Sequence, residues 1–126
     1  MGTAIRNIAF DCADPYALAY FWAGVFDCPV DPEHQPDDEE VAIAQPGGPW
    51  LYFQRVPEPK RGKNRVHVCL RPDVLRDQEV ERLRALGATV VADHRNPDGS
   101  GWVVLADPEG NEFCVLRSDA ERRTTG

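Results

Sequence analysis

Long apolar runs are missing from this chain of 126 residues, and a bilayer-spanning helix needs about 20 of them in a row. The N-terminus also lacks the charged-then-apolar pattern of a signal peptide. The expected location is therefore cytoplasmic, without a membrane partner. Basic residues are in the minority: 14 Lys and Arg face 21 Asp and Glu, a net charge of −7. That balance leaves no basic face for nucleic acid. The four cysteines (Cys12, Cys28, Cys69, Cys114) form no CxxC pair and no disulfide framework. They read as free thiols in a reducing compartment, several of them acting as small buried hydrophobes.

What is present is a repeat. AQPGGPWLYFQR (44–55) and ADPEGNEFCVLR (106–117) align at an offset of 62, which pairs Pro46 with Pro108 and Arg55 with Arg117. Upstream, NIAFD from Asn7 faces HVCLR from His67 at an offset of 60. Two copies of one strand–helix–strands unit fill the chain, and the cleft between two such halves is a natural small-molecule site.

Periodicity places the elements. Ala4–Cys12 alternates as a half-buried strand. Asp14 and Pro15 open a helix as cap and first-turn residue. Leu18, Phe21, Trp22 and Val25 form its apolar stripe. A short strand at Cys28–Val30, the acidic loop Asp31–Glu40 and a hairpin of Val41–Ala44 with Trp50–Val56 complete module one (4–57). Residues 58–64, with a proline, a glycine and three basic side chains, are the linker. In module two (65–117), the strand Arg65–Arg71 points Val66, Val68 and Leu70 at a helix over Asp77–Leu86. That helix buries Val80, Leu83 and Leu86 and ends at Gly87. Strands at Thr89–Asp93, Gly101–Ala106 and Glu112–Arg117 follow, then a loose polar tail (118–126). The whole of 1–117 is expected to be one domain.

The βαβββ order twice over, Asp14-Pro15 before Leu18–Trp22, the KNRVH run at Lys63–His67 and the turn Asp107–Asn111 together resemble the vicinal oxygen chelate superfamily. This is the group of glyoxalases, bleomycin-resistance proteins and extradiol dioxygenases. The resemblance implies an α+β fold in which two βαβββ modules form a cupped, half-open mixed sheet with helices on the outside. It also implies a homodimer. In metal-dependent members the ligands lie on the first and last strands of each module. Those positions here are Asn7, His67, Cys114, and Tyr52 or Gln54. A divalent ion needs about three good donors plus an open position. Asn is feeble, Tyr must lose a proton, and Cys favours soft metals. The set is degenerate, so no metal or other cofactor is assigned, and the standard metal-dependent glyoxalase reaction is not expected.

Strand parity alone selects the residues opposite the helices: Asn7, Asp11, His67, Cys69 and Arg71, then Trp50, Tyr52 and Gln54, then Glu112, Cys114 and Leu116. Trp50 and Tyr52 can stack on a planar ligand and Arg71 can clamp a carboxylate. The alternative pairs Arg71 with Asp11. His67 is the candidate catalytic residue, as general base or ligand in a lyase- or isomerase-type reaction on a small molecule, aromatic or carboxylated. The competing reading is a sequestering protein of the bleomycin-resistance type, without catalysis.

Overall fold

A computed structural model of the protein describes residues 1–125. The chain divides into two compact units, Met1–Arg61 and Gly62–Gly126. The boundary lies in the proline- and lysine-containing segment that separates the two repeats. Each unit is an open mixed sheet carrying helix on one face, the α+β plan expected. No helix among the described residues is long and apolar enough to cross a membrane.

The first unit runs β1 (Asn7–Cys12), α1 (Pro15–Phe26), β2 (Glu40–Ile43) and β3 (Trp50–Arg55), with strand order β1-β3-β2. β1 and β3 are parallel, which the α1 crossover permits; β2 returns antiparallel. The Asp14 carboxylate accepts the Ala17 amide at 3.2 Å and caps α1, with Pro15 in the first turn. The stripe of α1 then buries Leu18, Phe21, Trp22 and Val25 against Val41, Ile43, Leu51 and Phe53. Phe10 joins them, its ring 5.4 Å from Trp22 and 5.2 Å from Phe53. Emptying the Trp22 position would cost about 3–5 kcal/mol.

The expected strand at Cys28–Val30 does not form. Asp27 takes a left-handed conformation (φ 51°) that closes α1, and the Cys28 amide is spent on the Ala23 carbonyl. Pro29, Pro32 and Pro36 then remove three of the amides that a strand would pair.

The second unit runs β4 (Cys69–Leu70), α2 (Arg76–Leu86), β5 (Thr89–Asp93), β6 (Trp102–Ala106), β7 (Glu112–Leu116) and α3 (Asp119–Thr125), with strand order β4-β7-β6-β5. α2 covers the face that buries Phe113, Val115, Val103 and Leu105. The strand expected over Arg65–Arg71 shrinks to two residues, and Val66, expected under the helix, is 83% exposed. Leu86, expected to point inward, is 40% exposed.

The tail expected to be loose is instead helical. Ser118 Oγ accepts the Glu121 amide (3.1 Å) while Glu121 Oε1 accepts the Ser118 amide (2.9 Å), a reciprocal capping box that starts α3. The same Glu121 oxygen takes the Arg76 amide at 2.9 Å. It thereby caps α2, whose own N-cap residue, Leu75, has no side-chain acceptor. Arg76 is nearly buried, and its guanidinium donates to the Gly99 and Gly101 carbonyls.

Candidate functional site

Parity works as the sequence implied in the first unit. Asn7, Ala9 and Asp11 on β1 stand in register with Trp50, Tyr52 and Gln54 on β3, all on the face away from α1. Trp50 is 41% exposed, with the Arg6 guanidinium carbon 5.5 Å from its ring centroid. Asp11 and Gln54 are already engaged, Gln54 Nε2 donating to Asp11 Oδ1 at 2.8 Å. Asn7 is exposed and Tyr52 half-buried.

In the second unit the equivalent face carries the chemistry. Cys69 and Cys114 are register partners across the parallel β4–β7 pair, and the Cys114 amide donates to the Val68 carbonyl at 2.9 Å. His67, just before β4, brings its imidazole to the same place. One ligating atom each of His67, Cys69 and Cys114 lies within 4.8 Å of the other two. His67 and Cys69 are exposed and Cys114 is buried. The His67 ring makes no hydrogen bond among the described residues. The Cys114 thiol is pushed up to about 11, first by burial and then by the neighbouring Cys69 thiol; the Lys63 ammonium opposes this.

The turn Asp107–Asn111 is what delivers Cys114. Buried Asp107 accepts the Glu109 and Asn111 amides at 2.9 Å each, and Gly110 adopts φ 87°. That left-handed position suits glycine, and β7 starts two residues later. Register now identifies the counterparts between the repeats: Ala9 and Tyr52 are paired in the first unit as Cys69 and Cys114 are in the second. Tyr52, not Gln54, therefore occupies the last-strand position.

Two further candidates are held by their own unit. Glu112 accepts the Asn64 amide at 3.0 Å. Arg71 donates to the Arg117 carbonyl at 2.6 Å and pairs with Asp119 at 3.6 Å. Asn64 Oδ1 is a buried acceptor without a hydrogen-bond partner. The Ser118–Glu121 box escaped the sequence reading, although the S-x-x-E spacing was there to be read.

The glyoxalase-like domain profile matches residues 7–116. This chain belongs to the glyoxalase-like domain family. Solved structures agree on the fold of this glyoxalase-like protein. A glyoxalase/bleomycin resistance protein/dioxygenase family enzyme from Burkholderia phytofirmans superposes with TM-score 0.70 at 19% identity, over 90% of this chain and 97% of that one. The fosfomycin resistance protein FosX from Mesorhizobium loti gives 0.68 at 18% identity, over 100% of both chains. FosX from Listeria monocytogenes gives 0.71 at 17% identity, over 98% of both. No curated protein sequence matches the chain. A mutant of the Listeria protein was solved with manganese(II) and 1S,2S-dihydroxypropylphosphonic acid.

The glyoxalase-like protein does not present the donors that a hard, oxygen-chelating ion of this superfamily requires. In the first unit Asn7 and Tyr52 are weak donors; in the second the Glu112 carboxylate is held by a backbone amide, and the groups that converge are one imidazole and two thiols.

Proposed function

We propose that this glyoxalase-like protein binds a small polar molecule, aromatic or carboxylated, and transforms it in a lyase- or isomerase-type reaction with His67 as base or ligand. One observation carries this reading: the His67 imidazole is exposed, makes no hydrogen bond to the described residues, and points to the same spot as the two thiols. A general base must be able to reach the proton it removes, and an exposed imidazole has a ring nitrogen that can accept one. That a relative of the same fold was solved with a small dihydroxy phosphonate supports a ligand of this size and polarity. A cytoplasmic homodimer belongs to the same reading, and light scattering tests the assembly.

The second reading, sequestration without catalysis, draws on Trp50, whose exposed ring beside Arg6 offers a stacking surface in the first unit. One experiment separates the two. Wild-type protein and His67→Ala are screened by thermal shift against small carboxylates, phosphonates and planar aromatics, and every stabilising compound is recovered and checked by mass spectrometry. Catalysis predicts a compound that wild type alters and His67→Ala does not. Sequestration predicts stabilisation of both proteins with the compound unchanged. No stabilisation by any class retires both.

A further inference from the structure

We propose that His67, Cys69 and Cys114 form a binding site for a thiophilic metal ion of the zinc type, built from the second unit alone. The site shares His67 with the proposed function, but metal binding is measured without any small molecule, so each can fail separately.

Geometry comes first. A tetrahedral zinc ion bonds sulfur at about 2.3 Å and imidazole nitrogen at about 2.0 Å, which sets its donors roughly 3.5–3.8 Å apart. The three donor atoms already lie within 4.8 Å of one another. Seating the ion therefore asks the side chains to close by roughly 1.3 Å at most, a movement within rotamer adjustment. The backbone that carries them is fixed where it matters: Cys69 and Cys114 are hydrogen-bonded strand partners, and the Asp107 turn anchors the start of β7.

Chemistry selects the ion. Two sulfurs and one imidazole favour zinc, cadmium or copper(I) over magnesium or manganese, which prefer oxygen. Binding replaces the two thiol protons, released to solvent, with metal–sulfur bonds; no electron moves. Three protein donors leave a fourth tetrahedral position open, the arrangement found where zinc ions meet solvent or substrate. Exposed His67 and Cys69 give the ion a way in, and buried Cys114 gives it a dry side. In the first unit Ala9 and Tyr52 take the places of the two cysteines, so the repeat has no second copy of the site.

The test uses the full chain, reduced and freed of metal. Titration with cadmium(II) should give a thiolate-to-metal charge-transfer absorption that saturates at one equivalent. Zinc(II) should displace the cadmium and manganese(II) should not. In Cys69→Ser the absorption should fall sharply and zinc affinity should drop on the order of 100-fold. Cys69 is exposed, so the serine variant keeps the packing. His67→Ala serves as the second variant, and Cys28→Ser, whose sulfur lies outside the cluster, should behave as wild type. A folded wild type without charge transfer would overturn the proposal. So would an absorption that survives in both Cys69→Ser and His67→Ala, or manganese binding tighter than zinc.

Discussion

Cys69 and Cys114 face each other as register partners on β4 and β7, one exposed and the other buried, with their sulfur atoms within 4.8 Å of each other. The pair sets two cysteines of one chain in opposite reactivity classes. It also turns a duplicated fold into a molecule whose two halves differ chemically.

The first prediction concerns those thiols. Maleimide labelling of the metal-free native protein should modify Cys69 fast and Cys114 very slowly, because burial excludes the reagent and holds the Cys114 thiol near 11. Half-buried Cys28 should lag behind Cys69, its thiol raised by burial and then by Asp27. Peptide mapping after a short pulse reads the order directly, and equal labelling of Cys69 and Cys114 would refute it.

The capping box gives a stability prediction. Ser118→Ala should cost about 1 kcal/mol, as N-cap losses generally do. Glu121→Ala should cost more, because its carboxylate caps α3 and also takes the Arg76 amide of α2. The double variant should cost less than the two singles summed, since both belong to one network. Urea melts of the three variants measure this; strict additivity would show the two caps to be independent.

A pH prediction follows from Asp93. Its carboxyl is held at about 2, chiefly by the hydrogen bonds from the Arg95 side chain and amide. A depressed carboxyl pKa favours the folded state at pH values above its unfolded value of about 3.9. The contribution then fades as pH falls toward 2. Arg95 also bridges to Asp77 at the start of α2, so the pair ties β5 to that helix. The thermal stability gap between wild type and Asp93→Asn should accordingly be widest above pH 5 and narrow progressively below pH 4. A gap that stays constant down to pH 2.5 would assign the loss to packing instead.

Much of this fold could be read from the chain because short-range patterns dictate it. Alternation in Asn7–Cys12 and Trp50–Arg55 put the apolar residues under α1, and Asp14 with Pro15 marked where that helix begins. The glycine of the Asp107–Asn111 turn announced the left-handed residue before β7. These features follow from sterics and local hydrogen bonding, which act over a few residues. The segment 28–30 was misread for the opposite reason: three apolar or small residues suggest a strand, but the αL cap at Asp27 and the prolines beyond it leave too few amides to pair.

What the sequence determined by itself was the duplication, the family and the side of each strand that faces away from the helices. Only tertiary structure decided which of those outward residues are available. Arg71, Asp11, Gln54 and Glu112 are chemically attractive in the string, yet each is held by a partner 43 to 48 positions away. Pairing β4 with β7 closes a separation of 45 residues to place Cys69 beside Cys114, with His67 alongside. Contacts at that range depend on how the sheet closes on its helix, and no local rule of spacing contains them.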